Sequence, residues 1–458
     1  MLNVILPFDC KIEANWISSV FLGEFLGLPF KVLMTGDSDF IIRYSDRMLT
    51  ISDVFFSISE NKWLKPSTLP DLPLVKWNLS NLDLDVNLVN NTIPVLFGQP
   101  RFYLDESGNG HLNLDVFGSA FFMLSRYEEA VLIERDSHDR FPATASIAYR
   151  AGFLGRPIVD EYVEILWAAM KRVWPNLERK KRKGQILVSC DVDVPYSSYV
   201  KRTILTMKKM TGDIVKRRSI RMSVKSGINA IATRLGRFNF EPNNTFEWIM
   251  DVNEIAGNKV MFNFIAGHTV PDLDGFYSLD EHRIRKLMRR IYERGHEIGL
   301  HGSYDTYKSV EQQILEANRL RRVMDEEHIF QDQIGNRQHY LRWSTPETAR
   351  NLEKAGINYD TTLGYAEHPG FRCGTCFEYP MYDLIDRAPL QLRQRPLIVM
   401  EDSVIKYDYL GMGHTNDSLY LMLKLKKRAL QYGGNFTLLW HNSNVITAQE
   451  RELYEALI

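Results

Sequence analysis

Cysteine is scarce: Cys10, Cys190, Cys373 and Cys376 are the four in 458 residues. That excludes a disulfide-stapled scaffold of the secreted kind. Cys373-Gly-Thr-Cys376 lacks the two further Cys or His neighbours a structural zinc site needs, and it reads as a tight turn with two ordinary thiols. Long apolar runs are missing too. The stretch from Ser19 to Met34 is broken by Glu24, Pro29 and Lys31, so it cannot span a bilayer. No basic residue precedes Lys11, so the N-terminus lacks the charged lead-in of a secretory signal. The expected location is the cytoplasm, or the periphery of a membrane at its inner face. Nor does one sign of charge dominate. A formal charge of -1 gives no global pull toward nucleic acid, and no nucleic-acid partner is expected.

What is present is 45% hydrophobic and 12% aromatic content, that of a folded globular chain too long for one ordinary core. From about Gly184 onward, short apolar strands alternate with amphipathic helices. Strands are expected at Gln185–Cys190, Val260–Ala266, Glu297–Leu300, His339–Arg342, Ile357–Leu363, Leu397–Met400 and Asn435–Trp440. Helices are expected over His282–Glu293, from Thr345-Pro346 to Ala355 with Gly356 as the stop, and over Ser418–Tyr432 before Gly433-Gly434. This alternation implies an α/β fold with a parallel sheet, as a barrel or an open sheet, and an active site just beyond the strand ends. The first 180 residues lack it and end in the charged run Glu178 to Lys183, read as a linker. The expected domains are therefore 1–180, a separate α+β unit, and 184–458.

A basic helical insertion is expected at about 196–240. Between Tyr196 and Phe240 stand eleven Lys or Arg, Lys201 and Arg217 among them, against Asp213 as the one acid, with apolar residues such as Ile204, Met207 and Ile214 interleaved. A solvated helical excursion is one reading. An amphipathic surface for anionic lipid, or for a phosphate-bearing partner such as a lipid-linked glycan, is the other.

Several polar residues fall just after the strands. Asp191 and Asp193 are two apart on a strand and face one side; such a carboxylate pair calls for a cation or for separate protonation states. In Gly295-His-Glu-Ile-Gly-Leu-His301-Gly-Ser-Tyr-Asp305, the four-residue spacing of His301 and Asp305 would put both on one face of a helical turn, as metal ligands; a helix-capping Asp305 and a structural His301 are the alternative. Arg342, at a strand end, could pin a carboxylate in its ionised form. His441 follows the last strand and could donate a proton.

In order and placement these motifs resemble those of the polysaccharide deacetylase family of carbohydrate esterases. The resemblance spans about Gly184 to Ile446 and implies a distorted (β/α) barrel. It further implies Asp191 as catalytic base, Asp193 as a metal ligand, His301 as the first histidine ligand, Arg342 as the arginine that orients the base, and Leu439-Trp440-His441 as the motif carrying the catalytic acid. Asp305 stands where the family has a second histidine, giving an expected Asp-His-Asp set for one divalent metal: zinc, or Mn, Co or Mg. Phe122 to Glu129 and Gly370 to Gly374 resemble a bacterial subgroup with an N-terminal domain of unknown function, associated with surface-polysaccharide assembly. The activity implied is hydrolysis of N-acetyl or other acyl groups from a carbohydrate, with Tyr304, Trp343 and Tyr365 as candidates for stacking on sugar rings. The alternative is a degenerate, non-catalytic assembly factor that binds glycan or membrane. The charge-dense segments Ser125–Glu129 and Arg135–Phe141 read as buried ion-pair braces or as a binding site.

Overall fold

A computed structural model describes the chain except residues 81–85, 201, 217, 236, 238 and 239, and the side chains at 34–37. Lys201 and Arg217 of the basic segment thus lie outside the described residues. The N-terminal part contributes strands Leu2–Pro7 (β1), Phe30–Asp37 (β2), Phe40–Tyr44 (β3), Arg47–Ile51 (β4), Val75–Asn78 (β5), Thr92–Val95 (β6), Gly98–Leu104 (β7) and Gly110–Leu114 (β8). Six of them form a mixed sheet in the order β2-β1-β3-β4-β8-β7, while β5 and β6 pair by themselves. The helix Val116–Leu124 is buried on every side, and the Asp115 side chain accepts from Gly118 N to start it.

The second sheet begins at Ile186–Val192 (β9) and continues with Val260–Ile265 (β10), Glu297–Gly302 (β11), Gly335–Gln338 (β12), Tyr359–Asp360 (β13), Tyr379–Asp383 (β14), Ala388–Gln394 (β15), Val399–Met400 (β16) and Phe436–His441 (β17). Its nine strands run in the order β14-β15-β13-β12-β11-β10-β9-β17-β16. Every neighbouring pair is parallel except β14 with β15. This is the buried parallel sheet that nearly continuous apolar strands such as Val-Met-Phe-Asn-Phe-Ile call for. Helix His282–Glu293 stands as expected from its periodicity, with Ile284, Met288 and Ile291 buried.

Where the resemblance implies a barrel, the hydrogen-bonded ladder is open, ending at β14 and β16. β13 and β16 are two residues each, too short to carry a register around a closed wall. The gap is narrow: Leu397 N, just before β16, donates to Leu363 O, just after β13, at 3.1 Å. One continuous buried cluster runs from Leu2 to Leu457 and takes in both sheets. Between them, Glu129 accepts from Arg126 at 2.9 Å and twice from Arg372 at 2.8 Å, all three side chains buried. The charge-dense segment there is therefore a brace. No helix among the described residues is long and apolar enough to cross a membrane.

Candidate metal centre

Parallel strands carry their C-terminal ends to one edge, and five of them deliver the polar groups there. Asp191 on β9 lies level with Asn263 on β10 and His441 on β17. His301 on β11 lies level with Arg337 on β12. Asp193 follows β9 and His339 follows β12.

Asp193, His301 and His339 each offer a ligand atom within 4.8 Å of the others. Asp193 Oδ1 is 3.1 Å from His301 Nε2, and Oδ2 is 3.7 Å from His339 Nε2. The far side of each ring is already engaged. His301 Nδ1 lies 2.8 Å from the Arg337 carbonyl, which can only accept, so Nδ1 carries a proton and Nε2 is the nitrogen that faces Asp193. His339 Nδ1 meets Asp274 Oδ1 at 3.0 Å. Asp274 is fully buried and also accepts from Tyr304 N, Val270 N and Thr269 Oγ1.

Asp193 Oδ1 is buried and has no hydrogen-bond partner. A carboxylate with one orphaned oxygen, set beside two imidazole nitrogens whose partner nitrogens are spoken for, fits a divalent cation. Burial pushes the Asp193 carboxyl up, but His339 and His301 outweigh it and hold it well below the ordinary carboxylate range. Burial pulls His339 down, but Asp193 and Asp274 together take it up to about 9.

Two further groups flank this cluster. Asp191 is buried, accepts from Asn263 Nδ2 at 2.7 Å, and turns Oδ2 toward His301 Nε2 at 3.7 Å and Arg337 Nε at 3.9 Å. Gly299 makes this possible: a Cβ there would lie 2.2 Å from Asn263 Oδ1. On the other side, His441 Nε2 is 3.6 Å from Asp193 Oδ2, and its Nδ1 is 2.7 Å from the buried Glu401. Burial lowers His441, but Glu401 first and Asp193 next raise it well above the ordinary imidazole value. Glu401, Asp402 and His441 are also near enough together to hold a cation.

Two sequence expectations are corrected. Asp305 does not join the cluster, because β11 continues through Gly302 and no helical turn aligns residues 301 and 305. Its exposed carboxylate instead accepts from Arg342 Nη1 at 2.7 Å. His339 holds the place expected for it. Arg342 does not reach Asp191; it donates to the backbone of His138 and Tyr304 and to the Tyr307 hydroxyl, and its guanidinium packs on both tyrosine rings. The arginine beside Asp191 is Arg337, which also donates to Ser189 Oγ at 2.8 Å. Burial pulls Arg337 below its ordinary value, against the nearby Asp191 and Asp360.

Trp343 and Tyr365 are buried packing residues and offer no face to a ligand. Tyr304 and Tyr340, partly exposed, stand edge to face beside His339. The N-terminal part reaches this rim as well. His138 Nδ1 bonds the Tyr304 hydroxyl at 2.9 Å, and Arg140 donates to the Tyr340 carbonyl at 2.9 Å.

A family of unknown function (DUF7033) matches residues 3–175, which lie outside this cluster. No curated protein is significantly similar to the chain. Among solved structures, a Mycobacterium smegmatis protein assigned as a polysaccharide deacetylase is 15% identical, over 61% of this chain and 83% of its own, at a TM-score of 0.38. The PuuE allantoinase is 13% identical, over 62% of this chain and 84% of its own, at a TM-score of 0.35. Likenesses this distant carry no functional inference; the side-chain geometry has to.

Proposed function

We propose that the chain is a metal-dependent hydrolase that removes an acyl group, N-linked acetate first, from a carbohydrate. The observation that carries this reading is the Asp193–His301–His339 cluster with its unpartnered Oδ1, set between a buried carboxylate and an imidazole braced by Glu401. Asp193, His301 and His339 would hold the cation. Two nitrogens and one oxygen make a softer set than Asp-His-Asp, which favours zinc over Mg or Mn. A cation there would act as a Lewis acid toward an acyl carbonyl and acidify water.

The chain's own groups account for the proton movements. Asp191 accepts a proton from the attacking water through Oδ2, since Oδ1 is held by Asn263. Arg337 Nε stands 3.9 Å from that same Oδ2, the oxygen away from Asn263. His441, held through Nδ1 by Glu401, donates from Nε2 to the departing nitrogen. Tyr304 and Tyr340 line the approach with ring faces and edges suited to a sugar.

The test is acetate release from N-acetylated oligosaccharides, before and after chelation and after zinc is restored, in the wild type and in Asp191→Asn. Chelation should abolish release, zinc should restore it, and Asp191→Asn should stay inactive. Full turnover in chelator would refute the proposal.

A further inference from the structure

The insertion between β9 and the helix Phe246–Ala256 is a helical hairpin, Thr203–Val215 and Ile220–Arg234, and its polarity is inverted. The seam between its helices is polar. Asp213 accepts from Ser226 Oγ at 2.7 Å and pairs with Lys209 at 2.5 Å, and Asn229, Thr233 and Thr206 are buried. The apolar residues face outward. Ile220, Val224, Ile228, Ile231 and Leu235 recur at steps of four, four, three and four, which aligns them along one side of the second helix, and they are 46–73% exposed. Ile204, Met207 and Ile214 add 48–63% exposed side chains on the first helix. A soluble protein does not normally turn a hairpin inside out; a stripe of this kind marks a surface that meets something apolar.

Charge selects the partner. From Arg202 to Arg237 the sequence holds one acid, Asp213, and it is buried in the seam. Lys208, Lys216, Arg218, Arg221 and Lys225 are exposed and make no ion pair among the described residues. A second copy of this chain would bring the same cations against each other across a two-fold axis. An anionic bilayer surface takes both features at once, with the apolar stripe entering the acyl boundary and the cations meeting headgroups.

The hairpin is also rooted at the candidate site. It leaves the sheet just after Asp193, and its base is tied down by Asn229 and Ser197 bonding Glu241. Thr245, just beyond it, donates to the carbonyl of Asn442, the neighbour of His441. We infer that this hairpin docks the protein on anionic membrane, holding the edge where Asp193, His301 and His339 converge close to the lipid surface. The inference does not depend on the hydrolase reading.

The experiment is co-sedimentation of the full chain with vesicles of phosphatidylcholine alone and of phosphatidylcholine with 30% phosphatidylglycerol. Binding should require phosphatidylglycerol and weaken as salt rises. Neutralising Lys216, Arg221 and Lys225 to Gln should lower partitioning roughly a hundredfold. Val224→Ser with Ile228→Ser and Ile231→Ser should remove the remainder; these side chains point away from the seam, and an unchanged thermal melt shows that the fold persists. Asp193→Ala should bind vesicles as the wild type does, which separates docking from metal chemistry. Equal binding to neutral vesicles, or binding untouched by either triple variant, overturns the proposal. So does a chain that ignores lipid and self-associates through the stripe.

Discussion

Replacing His339 by Ala separates the arrangement found here from the one in which Asp305 is a ligand. The far nitrogen of His339 is held by Asp274, and loss of such an outer partner alone weakens metal binding by about 10–100-fold. Losing the imidazole removes the ligand atom as well, so zinc affinity should fall by more than about a hundredfold, or ~2.7 kcal/mol. Asp274→Asn should fall in the 10–100-fold range itself. Asp305→Ala should do almost nothing. Its carboxylate side chain is 55% exposed and its partner Arg342 keeps three other acceptors, so an effect within ~1 kcal/mol is expected. Affinity is read by competition with a chromophoric chelator, with a thermal melt as the folding control. The fold should tolerate His339→Ala, because Asp274 retains donors from Tyr304, Val270 and Thr269. Asp305→Ala losing zinc as severely as His339→Ala would refute the ligand assignment.

Other outcomes follow from the same geometry. Asp191→Asn should cut acetate release by about 10²–10⁴-fold while zinc affinity holds, since Asp191 is the proposed proton acceptor and lies outside the candidate ligand group. Arg342→Ala should act on stability, at about 2–4 kcal/mol by denaturant titration, because it strips three hydrogen bonds that tie two segments together; lost turnover with unchanged stability would contradict that role. From Asp160 the protein should lose stability as pH rises from about 4 to 7. Burial raises Asp160 to about 7, so between pH 4 and 7 the unfolded chain has released a proton that the folded chain keeps. Asp160→Asn should flatten that decline between pH 5 and 8 by about 2–3 kcal/mol, measured by chemical denaturation.

The alternation of strand and helix after Gly184 was legible because periods of 2 and 3.6 survive in apolar segments such as β10 and His282–Glu293. The failure at β12 has a physical cause. Gly335-Asn-Arg-Gln contains no apolar side chain, yet all four residues are buried. Asn336 bonds Asp360 and Arg337 bonds Ser189, so polar side-chain contacts stand where β10 has apolar ones. Hydropathy therefore starts the strand about four residues late, at His339. That one slip places Arg342 where Arg337 stands and conceals His339 as a strand-end histidine. The Asp305 error has a different origin: four-residue spacing has meaning only on a helix, and here a strand gives way to a turn. Within Gly-His-Glu-Ile-Gly, the resemblance could not tell that His296 is a brace, accepting from Val260 N and facing Glu254, while Gly299 clears space for Asn263.

The segment Asp136–Arg140 comes from the N-terminal part, yet it grips the loop that carries His339. Arg140 holds the Tyr340 carbonyl, the His138 carbonyl takes Arg342 Nε, and Asp139 accepts from Tyr307. Tyr340 sits in left-handed backbone at φ 61°, a shape a non-glycine residue keeps only when its surroundings impose it. Excising the first 180 residues would thus release a clasp. The loop would relax toward ordinary dihedrals and carry the His339 imidazole away from Asp193, so the parallel sheet expressed alone should bind zinc poorly even if every strand still forms.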